Sequence, residues 1–340
     1  MPSARSVWLG GRMTDVLVLG GTGWLSGRIA SRWRDAGAAV TCLARGARPA
    51  PDGVTLVRAD RGSADAYDAV AGRSWDEVVD VSSNPVHVAA AVEALERRAA
   101  HWTYVSSISV YARADEVGQD ETAELLVPAG PDEESDYGRD KVRCEMTVRA
   151  ALGDRAAIIR PGLIVGAGDP TDRFGYWVSR FALAGGEPVL VPETDGRTSQ
   201  VIDVEDVADV AVRVGQDRWT GTANAVGDVE ALADVLDAAR EVAGHTGAVV
   251  TASHDALLAA EVAHWAGPRS LPLWLPRDMP GFTTHRNDVY RSAGGRLSPL
   301  RETLARTLAD ERARGLERER RAGLTRADEL AVLAGIAAQG

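Results

Sequence analysis

Cysteine is scarce in this chain, and long hydrophobic runs are missing. The two cysteines among 340 residues, Cys42 and Cys144, give neither a disulfide framework nor the spacing of a metal site, which is typical of a reducing cytosol. No apolar run approaches the roughly 18 residues of a membrane span. The first residues, MPSARSVWLGGRM, lack the long apolar stretch of a signal peptide. We therefore expect a cytoplasmic protein without a metal site or a membrane segment.

Positive charge is also in deficit. The formal net charge is -11 and the pI is about 5.1, which argues against a general affinity for nucleic acid or for an anionic membrane surface. Among 38 lysines and arginines, Lys141 is the single lysine. The abundance of alanine, arginine, glycine and valine indicates codon bias, so any one arginine carries little information. The single lysine, at position 141, carries more information.

Short apolar runs alternate with helical stretches through the first half of the chain. This alternation predicts a parallel sheet covered by helices on both faces. After Pro161 the pattern loosens, and residues 298–323 are interpreted as an exposed amphipathic helix. We predict the α/β class, with a Rossmann-type doubly wound parallel sheet and a smaller, mostly helical C-terminal substrate lobe. The predicted strands are 15–20, 38–44, 54–59, 76–82, 101–107 and 156–160, and the predicted helices are 24–35, 85–100 and 136–152.

The first chemical motif is VLVLGGTGWLSG, residues 16–27, which joins the first predicted strand to the first predicted helix. Gly20 permits a tight turn, and Gly23 lets the backbone approach a pyrophosphate at the helix N-terminus, where free N–H groups favour anions. Ser26 stands where a third glycine is usual, and serine is small enough to preserve close packing of the helix on the strand. The residues of this loop that we predict to bind a dinucleotide are Gly20, Thr22, Gly23, Trp24 and Leu25.

The motif and the change of pattern predict two domains. Residues 13–165 would form a dinucleotide-binding domain, to which later segments near 174–215 return. Residues 166–340 would form a discontinuous substrate-binding lobe, and residues 1–12 a loose N-terminal extension. Within the second lobe, SLPLWLP at 270–276 is interpreted either as a cover over the cleft or as a proline-stiffened surface strap.

The type of cofactor is indicated at the end of the second predicted strand. An NAD-binding fold usually places a carboxylate there for the ribose 2′-hydroxyl, but CLARGARP has Arg45 and Arg48 instead. A guanidinium suits a 2′-phosphate by charge and geometry, so we predict NADP, with NAD as the alternative. Asp60 is a candidate for contacting the adenine amino group or, alternatively, an ordinary turn residue. Arg61 and Ser82 complete this side of the predicted cofactor site.

Tyr137 and Lys141 lie four residues apart on a predicted helix and therefore share one face. A free tyrosine, with a pKa of about 10, is a poor acid-base group near neutrality. A neighbouring ammonium favours the phenolate and lowers that pKa. The compact ammonium of lysine can also bond to ribose hydroxyls, whereas the planar fork of arginine has a different reach. An ordinary exposed helix face would have accepted arginine, as the other basic positions did.

The chain resembles the short-chain dehydrogenase/reductase superfamily, in its extended, epimerase/dehydratase-like branch. The resemblance rests on GGTGWLSG, YVSSISVY, YGRDK and RPGLIVGAGD, in that order, and covers about residues 13–210. It implies that Tyr137 is the general acid/base and that Lys141 lowers its pKa and binds the ribose. It also implies that Ser107 holds the substrate oxygen and that Pro161, in the RPG segment, lines the nicotinamide.

Departures from the family pattern narrow the function. Dehydratase members carry an Asp-Glu pair after the serine position, and here that pair is Ile108-Ser109, which argues against dehydratase chemistry. The arginine that often binds a nucleotide sugar is replaced by Ser199, which puts a diphosphate-sugar substrate in doubt unless Arg197 or Arg173 compensates. The residues that we propose for substrate contacts from the sequence are Ser109, Arg173, Tyr176 and Trp177.

The resemblance and its departures together predict an NADPH-dependent reductase of a ketone on a small polar metabolite. One alternative is an epimerase that transiently reduces bound NAD, and another is a non-catalytic relative that senses NADP or binds a partner. The family also implies a homodimer that pairs the helices at 85–100 and 136–152 into a four-helix bundle. The alanine-rich stretch VHVAAAVEAL supports this, because its small apolar residues occupy more than one helix face.

Overall fold

The computed structural model describes residues 13–130 and 133–338. The predicted extension, residues 1–12, lies outside the described residues. The strands are β1 Asp15–Leu19, β2 Ala39–Ala44, β3 Thr55–Arg58, β4 Glu77–Asp80, β5 Trp102–Val105, β6 Ala156–Pro161, β7 Leu163–Val165, β8 Val189–Pro192, β9 Thr198–Ser199, β10 Val201–Asp203, β11 Gly221–Ala225, β12 Glu230–Ala231, β13 Val249–Ala252, β14 Ala263–His264 and β15 Ser270–Leu271. The helices are α1 Trp24–Asp35, α2 Asp68–Ala71, α3 Pro85–Leu95, α4 Tyr137–Leu152, α5 Gly175–Ala184, α6 Val204–Gln216, α7 Leu232–Ala243, α8 His254–Ala259, α9 Asp288–Ser292, α10 Leu300–Arg314 and α11 Arg326–Ala337.

A parallel seven-stranded sheet forms the centre of the molecule, in the order β11-β6-β5-β4-β1-β2-β3. The inner strands are apolar runs because both faces of the sheet are covered: Val16, Leu17, Val18 and Leu19 are all fully buried. Every strand of the sheet ends at the same edge, so the loops that follow them meet there. The predicted Rossmann-type α/β fold is confirmed.

Helices cover the sheet on two sides. α1 and α6 contribute apolar residues such as Ile29 and Val207 to the core on one face. α3 and α4 contribute Val88 and Val148 to the core on the other. Within the part of the chain that the structure describes, no helix is long and apolar enough to cross a membrane.

The C-terminal half builds a third core around α5, α7 and α10, with the parallel strands β8 and β13 alongside. Within the predicted returning segment 174–215, α5 packs in this third core, whereas β10 leads into α6 on the sheet. Trp274 is fully buried in the same core, so the SLPLWLP segment is neither a cover nor a surface strap. The predicted helix at 298–323 ends earlier, at Arg314, because Gly315 turns the chain with φ +97°. The domain boundaries stay predictions.

Candidate active site

The glycine-rich turn after β1 is fixed by its own backbone. Gly20 adopts φ +82°, which favours glycine, and its carbonyl oxygen accepts hydrogen bonds from the N–H groups of Thr22, at 2.8 Å, and Gly23, at 3.2 Å. At Gly21 a side chain is excluded, because an added Cβ would overlap Cys42 on the neighbouring strand β2. The turn therefore passes directly over the sheet edge and delivers the chain to the start of α1.

Ser26 closes this turn from within the first turn of α1. Its hydroxyl donates to the Gly20 carbonyl oxygen at 2.6 Å and accepts from the Gly23 N–H at 3.1 Å. A third glycine could make neither bond, so serine here stabilises the turn in addition to fitting the space. The prediction recognised only the small size of Ser26. A hydroxyl six residues after the first glycine is the signal that could have indicated the bonds.

A cleft of about 260 Å³ opens beside this turn, at the carboxyl edge of the sheet. It brings together the predicted cofactor and catalytic residues from five separate parts of the chain. A larger cleft of about 630 Å³ adjoins it at Gly23 and Trp24 and is lined by Thr22 and Arg48. The 260 Å³ cleft is lined by Gly23, Trp24, Leu25, Ser26, Val81, Val105, Ser106, Ser107, Tyr137, Lys141, Pro161, Gly162 and Ile164.

The cleft has the features that a dinucleotide requires. α1 begins at Trp24 with no acidic residue in its first turn, so its free N–H groups and dipole face the cleft without a competing carboxylate. Gly23, at its N-cap, leaves the backbone open to close approach. Pro161 ends β6 at the opposite wall. These residues could hold the pyrophosphate and the nicotinamide of NAD or NADP.

Tyr137 is the first residue of α4, and the glycine that follows it sets its position. Asp136 caps the helix by accepting from the Arg139 N–H at 2.9 Å. A Cβ on Gly138 would overlap the backbone carbonyl oxygen of Ser109. Only glycine lets the helix start dock against the turn that follows β5. The pair Tyr-Gly in YGRDK is a signal of this contact that the prediction did not use.

Ser107 lies on that turn, opposite Tyr137. Its side-chain oxygen donates to the Ser109 hydroxyl and accepts from the Ser109 N–H, both at 3.1 Å. Desolvation of its hydroxyl raises the pKa of Tyr137, although 52 % of the residue is exposed, while the neighbouring Ser107 hydroxyl and the positive charge of Arg173 act to lower it. The phenol is therefore protonated and ready to donate, with a serine hydroxyl beside it. Ser109 takes part in this arrangement as the partner of Ser107.

Lys141 is held at the ends of two strands. Its ammonium donates to the carbonyl oxygens of Val105 at 2.6 Å, Ser82 at 3.0 Å and Val81 at 3.4 Å. The side chain is only 2 % exposed, and burial lowers the pKa of Lys141 to about 8. The centre of the Tyr104 ring lies 4.8 Å from the ammonium. A compact ammonium fits between three oxygens, whereas a planar guanidinium would not.

The electrostatic environment of Tyr137 differs from the prediction in one respect. The Lys141 ammonium lies 6.0 Å from the centre of the Tyr137 ring, and its donors are engaged by backbone oxygens. The cation that opposes the rise in the pKa of Tyr137 in this structure is Arg173. Its guanidinium stacks over Trp265 at 4.9 Å. Arg173 thus lies within electrostatic reach of the phenol, on the side of the C-terminal lobe.

The residues predicted to hold the adenosine end have different roles. Arg45 follows β2 and is exposed, and none of the described residues forms an ion pair with it. Asp60 is also exposed and accepts from the Gly62 N–H at 3.0 Å, as a turn residue does. Arg61 corrects the prediction. Its guanidinium is bound to both oxygens of the buried Asp80, at 2.8 and 2.7 Å, so it supports β4 and is not free to bind a cofactor.

Two of the proposed substrate residues are also corrected. Tyr176 and Trp177 are each only 1 % exposed and lie in the C-terminal core. The indole N–H of Trp177 donates to the Pro272 carbonyl oxygen at 2.8 Å. Both belong to α5, whose first turns are buried on all sides, so their aromatic rings pack the lobe and do not reach the cleft.

Sequence reasoning missed one polar group in the cleft. Ser106 precedes the predicted catalytic serine and is 4 % exposed. Its hydroxyl has no hydrogen-bond partner among the described residues, although the residue lines the cleft. Buried hydroxyls are normally paired, so this unpaired group beside the cleft is an exception. The repeated serine in VSSISVY was its sequence signal.

Comparisons with known proteins identify the family. Residues 16–227, more than half of the chain, match the NAD dependent epimerase/dehydratase family. The chain is 29 % identical over 217 residues to 2′-dehydrokanamycin reductase of Streptomyces kanamyceticus, an alignment that covers 61 % of this chain and 59 % of that relative. The chain thus spans less than two thirds of the relative's length.

Solved structures share the fold. UDP-glucose 4-epimerase from Thermotoga maritima has a TM-score of 0.67 at 13 % identity and covers 88 % of this chain and 99 % of its own. UDP-glucuronic acid 4-epimerase from Bacillus cereus, in complex with NAD, has a TM-score of 0.64 at 13 % identity. The match covers 89 % of this chain and 99 % of the epimerase.

The fold and the site define a protein of the extended short-chain dehydrogenase/reductase superfamily. Within it, the chain belongs to the NAD dependent epimerase/dehydratase family. The prediction of an NAD(P)-dependent enzyme is confirmed at the level of this family.

Proposed function

We propose that the protein is an NADPH-dependent reductase that converts a ketone on a small polar metabolite to an alcohol. The observation that carries this proposal is the convergence of Ser107, Tyr137 and Lys141 on one cleft beside a glycine-rich turn. A non-catalytic relative would have no need to keep a protonated phenol, a serine hydroxyl and a buried ammonium together. The similarity to a reductase over part of the chain gives further support.

Each catalytic residue of the cleft has its own role in the reaction. The nicotinamide cofactor, when bound, supplies the hydride. Ser107 turns its hydroxyl from Ser109 to the ketone oxygen and orients it toward Tyr137. Tyr137 donates the phenolic proton to that oxygen as it becomes a hydroxyl. The cations Lys141 and Arg173 stabilise the phenolate that remains until a proton returns from solvent.

The preference for NADPH over NADH rests on Arg45. The residue stands directly after β2, where the adenosine ribose is bound in this kind of fold, and no described residue pairs with its charge. No carboxylate replaces it there to bind a free 2′-hydroxyl. Arg48 lines the adjoining cleft and adds positive charge to the same region, which favours a 2′-phosphate.

We also propose a homodimer through α3 and α4. These neighbouring helices cover one face of the sheet and leave apolar side chains on their outer faces: Val86 is 71 % exposed and Met146 is 56 % exposed. A symmetric pairing of the two helices with a second copy would bury both.

Epimerisation with bound NAD is the second candidate, and the match to the epimerase/dehydratase family favours it. The two candidate reactions differ in whether the cofactor is consumed. A reductase consumes NADPH in proportion to product, whereas an epimerase retains its cofactor and causes no net oxidation.

The first experiment is a screen of NADPH oxidation with a panel of small polar ketones. Tyr137→Phe should lower kcat/KM by roughly 10²–10⁴-fold, because the proton donor is lost. Tyr290→Phe is the matched control, since it removes a tyrosine hydroxyl that bonds to the Arg296 carbonyl oxygen remote from the cleft. Full activity in Tyr137→Phe, or product formation without NADPH consumption, would contradict the proposed reduction.

A further inference from the structure

Arg173 is a cation that the fold holds in place without neutralising it. Its Nε donates to the Thr171 hydroxyl at 3.2 Å, and the guanidinium plane stacks on Trp265. Among the described residues, no carboxylate forms an ion pair with it; the buried Asp169, which binds the same Thr171 hydroxyl, acts on its charge from a longer distance. By contrast, the buried arginines Arg61 and Arg160 each bind a carboxylate with two hydrogen bonds. The outer nitrogens of Arg173 therefore remain available to an anion from outside the chain.

The loop that carries Arg173 is held by several contacts at Asp172. The preceding residue, Asp172, has φ +61°, a conformation that costs a non-glycine residue energy. Three groups from the C-terminal segment hold its carboxylate: the side chain of Arg314 at 3.1 Å, the side chain of Arg318, and the Arg321 N–H at 3.0 Å. Strain maintained in this way fixes the direction in which Arg173 leaves the backbone.

The aromatic partner of Arg173 is fixed in a similar way. Trp265 has φ +67°, and its N–H lies between the carbonyl oxygens of Leu271, at 3.2 Å, and Trp274, at 3.0 Å. Its ring meets the edge of Phe282 at 5.5 Å. Two residues with positive φ, Asp172 before Arg173 and Trp265 beneath its guanidinium, thus hold the stacked pair.

This stacked pair adjoins the catalytic turn. Phe282 packs against the small apolar cluster that contains Ile108 and Val142. Those residues follow Ser107 and Lys141 directly in the chain. The charge of Arg173 also acts on the Tyr137 phenol. The guanidinium thus lies within electrostatic reach of the phenol, on the side toward which we place the part of a substrate beyond its reacting carbonyl group.

The chemistry of the site indicates a single planar anion. A guanidinium offers two parallel N–H donors that match a carboxylate. A diphosphate would require a further free cation, but Arg197 is occupied by the Leu275 carbonyl oxygen at 2.6 Å and by His254 at 3.4 Å. We propose that the substrate is an oxo acid, whose carboxylate binds Arg173 and whose ketone meets Ser107 and Tyr137. This proposal rests on the proposed ketone reduction.

The test compares short 2-, 3- and 4-oxo acids with their methyl esters, which keep the ketone and remove the charge. Calorimetric titration into the NADP⁺-saturated protein, which has no hydride to transfer, measures binding, and NADPH oxidation measures turnover. We expect at least one acid to bind roughly ten- to a hundredfold more tightly than its ester. Arg173→Gln should abolish this difference without changing NADPH affinity, and Arg173→Lys should restore part of it. Arg113→Gln, at an exposed arginine, is the control.

The outcomes separate the two proposals. Acids that bind more tightly than esters but are not reduced would keep the carboxylate site and reject ketone reduction. Esters that bind and react as well as acids would overturn the carboxylate site and leave the reduction standing. The carboxylate site is also overturned if no acid binds at millimolar concentration, or if Arg173→Gln weakens acid and ester equally.

Discussion

At the scale of single residues, the structure explains why position 141 is a lysine and not an arginine. Three carbonyl oxygens, of Val81, Ser82 and Val105, surround a space for one small cation. Taking an ammonium out of water disfavours its charged form, and the carbonyl dipoles offset only part of that cost. The result is a lysine whose pKa falls to about 8. Lys141 can therefore change its charge under mild conditions.

This pKa predicts opposite pH trends for activity and stability. The folded-state value of about 8 lies below the roughly 10.4 of an unfolded lysine. The buried charge therefore disfavours folding below about pH 8, and this cost is relieved as the pH rises toward 10.4. Activity that needs the ammonium falls over the same range, while Tyr137, with its raised pKa, stays protonated.

The measurement is kcat/KM and Tm from pH 7 to 10, in the wild type and in Lys141→Met. We expect the activity of the wild type to decline above about pH 8 while its Tm rises relative to that of the variant. Arg139→Met on the same helix should behave as the wild type does. A decline in the residual activity of Lys141→Met at the same pH would assign the titration to another group.

Arg45 gives a second prediction for a single residue. Replacing it with alanine removes a charge-assisted bond to the 2′-phosphate, worth about 1.5–3 kcal/mol. NADPH affinity should fall roughly ten- to a hundredfold, with NADH affinity unchanged. Arg97→Ala, at a side chain that is 91 % exposed, serves as the control. Calorimetric titration of both cofactors decides the matter, and equal affinities of the wild type for the two would show that Arg45 does not select NADP.

At the scale of elements, the important contact is that of α4 with the turn after β5. The helix approaches so closely that Gly138 faces the Ser109 carbonyl oxygen with no room for a methyl group. Alanine normally stabilises a helix interior by about 1 kcal/mol relative to glycine. Here the overlap is with backbone, which cannot move aside cheaply. The separation of Tyr137 and Ser107 thus depends on a residue that takes no part in the chemistry.

Gly138→Ala should therefore lower the activity more than it lowers the stability of the fold. We expect kcat to fall at least tenfold, because a shift of about 1 Å at the reacting groups is enough to cost that much. NADPH affinity should change little. Gly335→Ala is the matched control in α11, where an added Cβ meets nothing within 4 Å, and it should raise the stability slightly. Unchanged kcat in Gly138→Ala would show that the helix start can adjust.

At the scale of the whole molecule, the active site depends on the C-terminal lobe meeting the sheet. The motifs of the first domain predicted the strands, the glycine turn and the Tyr-Lys pair, because each depends on neighbours close in sequence. The C-terminal lobe has no such motifs. The stacking of Arg173 on Trp265 joins residues far apart in the chain, and the inward direction of Tyr176 and Trp177 follows only from how α5 packs. The pairing of Arg61 with Asp80 likewise required the tertiary structure.

The proposed dimer is a prediction at this scale as well. Light scattering at micromolar concentration should give twice the 36.0 kDa of one chain. Val86→Glu places a charge in the pairing surface and should shift the mass toward that of one chain. Val117→Glu, at another exposed valine (64 %), should not. A mass near 36.0 kDa at every concentration would make the monomer the working state.

The burial of the single lysine also determines how the protein reacts with reagents and enzymes that modify lysine amines. Because Lys141 is 2 % exposed and the other basic side chains are arginine and histidine, no lysine amine lies on the surface for acylation, glycation or coupling to a resin. Acetylating and ubiquitinating enzymes likewise find no lysine on the exterior. The ε-amine within reach of small electrophiles is the one in the cleft, and its lowered pKa makes it more nucleophilic near neutrality. An aldehyde or an active ester small enough to enter the cleft would therefore modify Lys141 and no other lysine.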